Sequence, residues 1–471
     1  MINRRWVPCI TVLAGLLAAG AAFGDVGVTF QDVAAGGASG LSYGRVPSER
    51  LAISEAIRAD GVLVVEPEYP GSPYKPHGAP GVAVLDYDGD GDQDLYVTNG
   101  PGAANSLFRN LLAQTGQLQF VDVAAAAGVA ATDQDSQGVC YGDIDNDGDP
   151  DLMVLGSSEP NRLFENQGDG TFQDITAASG AGGSNANSVS CAMGDVNADG
   201  LLDIYVANAF DFIKTDIFVL GPEFFYHQPD QLLLNQGGND FADVSEASGI
   251  RDIADLSQPG AAMLTWATSL VDFDLDGDLD IVVTHDNRSL PPFLPPQNFV
   301  RVFANNGAGF FNDATAALKL DRDGSWRGLS FADFDCNRRL DLFATNFGDY
   351  VFFPGFYEPG TWASRLYLQG GDGTFTAPGP GDLVTIPGGW GTSTADYDND
   401  GDFDVIAYGN EETSLFWENS NPGVILQNQG LCSGELGWDA AALAGSTDHT
   451  RRTVNGVATG DLNLDGFVDI V

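Results

Sequence analysis

The nine-residue stretch DYDGDGDQD, Asp86 to Asp94, has six relatives further along the chain. They are DIDNDGDPD from Asp143, DVNADGLLD from Asp195, DFDLDGDLD from Asp272, DFDCNRRLD from Asp333, DYDNDGDFD from Asp396 and DLNLDGFVD from Asp461. Successive copies start 52 to 77 residues apart. A unit of that size, repeated through 471 residues, constrains the fold to a repeat architecture.

The flanks of each copy say what the unit is. Runs such as LYVTN, LMVLG, IYVAN, IVVTH, LFATN and VIAYG follow the aspartates, and short apolar runs such as VAVL precede them. They are β-branched, aromatic and bounded by turn residues, which predicts buried strands. SLFRN, NRLFENQ, DQLLLNQ, VRVFANN and SRLYLQG predict a third strand, and LQFVDVA, GTFQDIT, NDFADVS and GFFNDAT a fourth. The unit is then a four-stranded antiparallel meander with the Asp loop between strands one and two. Seven such sheets set radially give an all-β, seven-bladed β-propeller over residues 25–471, which leaves only short, protected edges. VTFQDVAAGGASG (28–40) matches the fourth-strand pattern with no Asp loop before it, and the seventh loop is followed only by DIV. The expectation is that the N-terminal strand completes the last blade and hides open edges. The third strand of that blade is expected to be missing, the chain being cut from a longer protein.

Within the loop, carboxylate or amide oxygens stand at positions one, three, five and nine, and glycine at six. Calcium takes six to eight oxygens at roughly 2.3–2.6 Å, and a loop alternating side-chain and backbone oxygens can wrap it. Position seven is expected to give its carbonyl. The predicted ligands are Asp86, Asp88, Asp90, Asp92 and Asp94; Asp143, Asp145, Asp147, Asp149 and Asp151; Asp195, Asn197, Asp199, Leu201 and Asp203. They continue with Asp272, Asp274, Asp276, Asp278 and Asp280; Asp396, Asp398, Asp400, Asp402 and Asp404; Asp461, Asn463, Asp465, Phe467 and Asp469. That makes up to six calcium sites. The side chain of Asp92 is expected to face solvent. Asn197 and Asn463 leave loops three and seven one carboxylate short, so these should bind more weakly. Loop five, Asp333 to Asp341, carries Arg338 in place of glycine with Arg339 beside it, and is expected to bind poorly or not at all. The loop is no EF-hand: that needs a bidentate Glu at position twelve between helices, whereas here position twelve is Val or Ala inside a strand. A dockerin-like reading of the last copy fails in the same way.

The chain carries 66 acidic and 20 basic residues, a net charge of −46. Nucleic acid is a poor partner for such a surface, because binding it needs clustered Lys and Arg. Arg4 and Arg5, the apolar run Ile10 to Ala22 and the small residues before Asp25 predict a signal peptide over 1–24. No later apolar run is long enough for a membrane span, so the expected product is secreted, extracellular or periplasmic. Export permits disulfides, but Cys140, Cys191, Cys336 and Cys432 allow three pairings, with free thiols as the alternative.

These residues resemble the FG-GAP/VCBS repeats of the integrin α-subunit propeller. HGAPGVAVLDYDGDGDQDLYV carries Gly78, Ala79 and Pro80 ahead of the loop, and the recurring F-x-D-[VI] after LF-x-N-x-G is similar to the cartilage acidic protein branch. The resemblance implies a seven-bladed calcium-binding propeller, often in adhesion or matrix contacts. Loop five departs from the pattern.

The long insertions, 208–230, 284–299, 346–364 and 410–423, with the crossover 41–80, all belong to the face opposite the Asp loops. They hold Phe224, Phe225, Tyr226, Phe352, Phe353, Phe356, Tyr357, Trp362 and Trp417. One reading makes them platforms for a protein or glycan ligand, since binding residues concentrate on loops held by rigid scaffolds. The other makes them a local core that closes the loops. No nucleophile motif, zinc triad or phosphate loop is present, and His77, His227, His285 and His449 are scattered, so a non-enzyme is expected. The alternative is a calcium-dependent extracellular polysaccharide-cleaving enzyme. Alanine at Tyr357 and Trp362 separates the two readings of the aromatics. A platform loses ligand at unchanged melting temperature; a local core loses stability with ligand binding intact.

Overall fold

The second strand of each repeat is buried on both faces, which is why its sequence is continuously apolar instead of alternating. Asp151–Gly156, Asp203–Asn208, Asp280–His285, Asp341–Asn346 and Asp404–Gly409 are buried at every residue. Each is the central rung of a blade packed between two neighbours. The computed structural model describes residues 6–10, 28–34, 37–46, 80–209, 228–251, 265–285, 300–322, 324, 326–346, 364–377, 389–409, 424–430, 432, 438–442 and 456–471.

Six complete blades follow in chain order, each a four-stranded antiparallel meander. Blade one is Val82–Leu85, Asp94–Val97, Ser106–Asn110 and Phe120–Asp122. Blade two begins at Ser136–Gly142, blade three at Ser188–Gly194, blade four at Thr265–Val271, blade five at Trp326–Ala332 and blade six at Gly389–Ala395. The first strands line the centre. The outermost fourth strands, such as Phe172–Asp174 and Phe311–Asp313, bury only their phenylalanine. Between the strands, four-residue helices such as Ala124–Ala127 and Thr176–Ser179 serve as turns.

Six complete blades stand where the repeat count predicted seven. The seventh Asp loop is flanked by two-residue strands, Thr459–Gly460 and Asp469–Ile470, too short to make a blade of their own. They belong to a composite sheet with Trp6–Ile10 and Val28–Asp32. The third-strand place, expected to be empty, is held by Trp6–Ile10, which joins Asp469–Ile470 through the single pair Trp6 and Ile470. Sequence pattern could not place it, because its residues fall in a segment that reads as an export signal.

Hydrophobic clusters fill the spaces between successive sheets. Tyr96 and Leu107 of blade one meet Leu152, Val154 and Phe164 of blade two; Val282, Val300 and Val302 of blade four meet Leu342, Ala344 and Tyr367 of blade five. The composite sheet is bounded in the same way. Ile470 packs with Tyr397, Ile406 and Ile425 of blade six, and Leu462 with Val84, Leu95 and Phe108 of blade one.

Polar side chains stitch the blades where the apolar contacts end. The Asn or Gln closing each third strand donates its amide to a carbonyl in the Asp loop of the preceding sheet. Asn166 Nδ2 reaches Tyr87 O at 2.8 Å, Asn235 reaches Ile144 O at 2.8 Å, Asn305 reaches Val196 O at 2.7 Å and Gln369 reaches Phe273 O at 2.9 Å. Asn428 reaches Phe334 O at 3.1 Å, and Asn110 reaches Leu462 O at 2.8 Å, across the junction with the composite sheet. At the opposite end of the second strands, Thr284 and Thr345 donate to Arg327 O and Trp390 O, both at 2.7 Å. Removing one of the amides leaves a buried carbonyl without a donor, which costs about 1–3 kcal/mol. Asn166→Ala should lower stability by that amount in urea denaturation, at unchanged secondary structure by circular dichroism. A loss under about 0.5 kcal/mol, the range of an ordinary surface substitution, would remove the stitch from the account.

Candidate metal centre

Position two roots each Asp loop. Tyr87, Ile144, Val196, Phe273, Phe334, Tyr397 and Leu462 are all buried beneath their loops, and their backbone N–H groups bond the ninth aspartate. Asp151 Oδ2 accepts Ile144 N–H at 2.8 Å, while its Oδ1 accepts the N–H of Asn166, from strand three, at 2.7 Å. The same pair of bonds holds Asp94 (Tyr87, Asn110), Asp203 (Val196, Asn235), Asp280 (Phe273, Asn305), Asp341 (Phe334, Gln369) and Asp404 (Tyr397, Asn428). In loop seven Asp469 accepts Leu462 N–H at 2.9 Å. The ninth acid thus ties the loop to its own blade.

Position one organises the turn. Asp86 accepts the N–H groups of Asp90 and Gly91 at 3.2 and 3.0 Å, and Asp90 Oδ1 accepts Asp92 N–H at 3.0 Å. Loop four repeats these bonds at Asp272 and Asp276, and loop six at Asp396 and Asp400. The turn uses two left-handed residues. Position six is a glycine with φ between +86° and +102° in six loops, where a side chain would be strained. Position four is also left-handed, as at Asn146 (φ +62°) and Leu275 (φ +62°), a feature the sequence did not suggest.

The acids converge on a common point. Oxygens of Asp86, Asp88 and Asp94 lie within 4.8 Å of one another, as do those of Asp143, Asp145 and Asp151, and of Asp272, Asp274 and Asp276. The donor set suits a hard cation: all oxygen, anionic and closely spaced. Loop one adds a specific sign. Asp88 Oδ1 is buried with no hydrogen-bond donor, while Asp88 Oδ2 lies 3.4 Å from Arg109 Nε. Burial, and then the neighbouring Asp90, raises the pKa of Asp88; burial and the position-five acids likewise raise Asp274 and Asp398.

Some predicted ligands are otherwise engaged. The side chain of Asp92 does not face solvent as expected; it is fully buried, because the short helix Leu112–Thr115 folds over it and Ala113 N–H donates to Oδ2 at 2.5 Å. Asp90 Oδ2 is held by Gln114 Nε2, and Asp398 Oδ2 by Gln427 Nε2 at 2.5 Å. In loops three and seven the position-three amide donates onto the position-five acid, Asn197 to Asp199 at 3.0 Å and Asn463 to Asp465 at 2.9 Å. Each takes up a position-five oxygen, as Gln114 does at Asp90 in loop one. Cys140 pairs with Cys191 across the first strands of blades two and three, and Cys336 with Cys432, which selects one of the three possible connectivities.

The opposite face is described in part. The insertions named above lie mostly outside the described residues, with all nine of their singled-out aromatics and His77, His227 and His449. Of the crossover, Leu41 to Val46 is seen: Arg45 Nη2 forms a buried ion pair with Asp135 Oδ1 at 3.1 Å, and Val46 N–H bonds Asn99 Oδ1 at 2.8 Å. His285 is buried at the end of a second strand. Toward the centre, the buried guanidinium of Arg327 packs against two indoles that meet edge-on, 4.6 Å from the Trp266 ring centre and 4.9 Å from that of Trp390. The three residues occupy β-bulges at the starts of the first strands of blades four, five and six, a usual place for a re-aimed side chain. A repeat alignment of first strands would have aligned them, but only the fold brings them together.

A family model described as an FG-GAP-like repeat matches residues 86–154, 143–206, 272–344 and 349–407, more than half of the chain. Cartilage acidic protein 1 of Homo sapiens is 26% identical over 274 residues, covering 55% of this chain and 36% of that protein. The Mus musculus protein of the same name is 26% identical, covering 55% and 37%. The matched stretch thus spans little more than a third of these relatives. Among solved structures, an Agrocybe aegerita lectin described by its specific recognition of non-reducing terminal N-acetylglucosamine is 16% identical, with a TM-score of 0.43 over 78% of this chain and 81% of that one.

Burial pushes the ninth acids up, to about 8 at Asp94 and Asp404 and about 7 at Asp151, Asp280 and Asp341. An unfolded Asp titrates at about 3.9. Between these values the metal-free fold holds protons that the unfolded chain has released, so protonation stabilises it. That contribution is complete below the unfolded value and is lost as pH rises through the folded one. In chelator the protein should therefore melt higher at pH 6 than at pH 8.5, and Asp94→Asn should reduce the difference. Equal melting temperatures at both pH values would contradict the assignment.

Proposed function

The chain belongs to the FG-GAP-like repeat family, and from that premise we propose that it is a secreted calcium-binding β-propeller acting as a recognition module for a protein or glycan. The observation that carries the calcium reading is the recurrence of one loop geometry, with converging acids and, at Asp88, a buried oxygen lacking a donor. The ligands are those of loops one to four, six and seven at positions one, three, five, seven and nine. When bound, the ion neutralises carboxylates that otherwise repel by about 4 kcal/mol per pair at 4 Å and an effective dielectric near 20. Its role is structural: an ion that binds only the folded chain stabilises the fold by mass action.

The partner surface is the face opposite the loops. On that side of the ring the buried Arg327 packs against Trp266 and Trp390, and the partner contacts are assigned to the aromatic insertions. Export through residues 1–24 agrees with the two disulfides, which persist in oxidising compartments. Cleavage near Asp25 would remove Trp6–Ile10 from the composite sheet.

Calcium titration by calorimetry should show up to six sites, and the melting temperature should rise in calcium and fall in chelator. A melting temperature indifferent to both would refute the reading. The recognition role is separated from calcium-dependent polysaccharide cleavage by one pair of measurements. Acidic glycans are arrayed for binding and assayed for chain shortening in the same buffer; retention without shortening is expected.

A further inference from the structure

Loop five keeps the backbone of the other loops without the residues a calcium loop needs. Asn337 N–H and Arg338 N–H donate to Asp333 at 2.9 and 2.8 Å, and Arg339 N–H donates to Asn337 Oδ1 at 2.8 Å. Asp333, Asp335 and Asp341 converge as in loops one and two. The misfit lies elsewhere. Arg338 takes the left-handed turn at φ +66°, where the other loops have glycine. Asn337 supplies no charge at position five, and both ends of its amide are in use, since its Nδ2 donates to Gln369 O at 2.8 Å. Arg338 and Arg339 put two positive charges at positions six and seven of the loop, where no other copy carries one.

The same loop has something the others lack. Cys336, at position four, is bonded to Cys432, which lies just beyond the third strand of blade six, Val424–Asn428; their Cα atoms are 4.9 Å apart. In loops two and six, position four also reaches the next sheet, but by a hydrogen bond: Asn146 Nδ2 to Gly200 O at 2.8 Å and Asn399 Nδ2 to Gly466 O at 3.1 Å. Position four thus reaches the next sheet in loops two and six. Loop five makes that contact covalent.

We propose that loop five is a calcium-free loop held in the ring by the Cys336–Cys432 bond in place of an ion. A cross-link between residues 96 apart restricts the unfolded chain strongly, so it can supply the stabilisation a metal gives the other loops. The proposal rests on the calcium reading of those loops. Its first test leaves the disulfide intact and restores the loop pattern with Asn337→Asp, Arg338→Gly and Arg339→Asp. Equilibrium dialysis with elemental analysis should find one more calcium per chain than in the wild type. The second test is Cys336→Ser with Cys432→Ser, measured in saturating calcium. The melting temperature should fall by about 4 °C or more with the calcium count unchanged. Adding the three loop substitutions should recover at least half of that fall in calcium and none in chelator. Calcium in the other loops with no gain in the first variant overturns this proposal alone, as does an unchanged melting temperature without the cysteines. A wild-type chain that takes up no calcium overturns the calcium reading itself. If the serine variant fails to fold, the calcium count of the first variant still decides.

Discussion

In loops one to six the ninth aspartate does two jobs with two oxygens. One binds the backbone of its own loop at position two, and the other binds the end of its own third strand. The residue at that strand end then passes its side-chain amide to the preceding sheet. A loop, a blade and a neighbour are linked through one carboxyl group and one amide, and the linkage recurs around the ring. Because these groups are buried, the bonds are made in a medium where a missing partner is expensive. This explains why loop five still has Asp341 although it has lost its glycine. The acid is required by the blade whether or not an ion is present.

The other carboxylates do not link the blade to its neighbour. Asp86 and Asp88 crowd against Asp94 at one end of blade one, and repulsion at that spacing opposes folding unless a cation, a proton or a nearby Arg relieves it. Arg109 beside Asp88 is a partial answer in loop one. The amides of Asn197 and Asn463 give a milder one in loops three and seven, where they donate to the neighbouring acid. One backbone turn thus carries several degrees of charge relief. The loops can differ in charge without any change in the geometry of the blade.

The two faces of the ring are built by different physics. On the loop face, short turns bring backbone N–H groups and carboxylates together, and the sequence states the arrangement openly. On the other face, bulges in the first strands turn Trp266, Arg327 and Trp390 toward one another, and the connections between second and third strands are long in blades three to six. A bulge leaves no mark in a period-two pattern, and three residues more than sixty positions apart reveal nothing of their contact until the blades are stacked.

Local spacing was enough for the strands, the meander and the loop chemistry, because each depends on residues within about a dozen positions. The apolar residue at position two and the Asn or Gln at the end of strand three were also visible as recurrences, but their purpose was not, since the bond they share crosses between blades. The repeat count predicted seven blades, the last closed by the N-terminal strand; the described residues form six complete blades and a composite sheet, because sheet membership depends on what pairs in space and not on how many loops are written. Tertiary packing also selected Cys140–Cys191 and Cys336–Cys432 and buried Asp92 under a helix turn. The sequence by itself determined a repeated antiparallel unit with an acidic, calcium-like turn. Only the tertiary structure decided which groups join neighbouring units, because those contacts lie between residues that chain distance keeps apart.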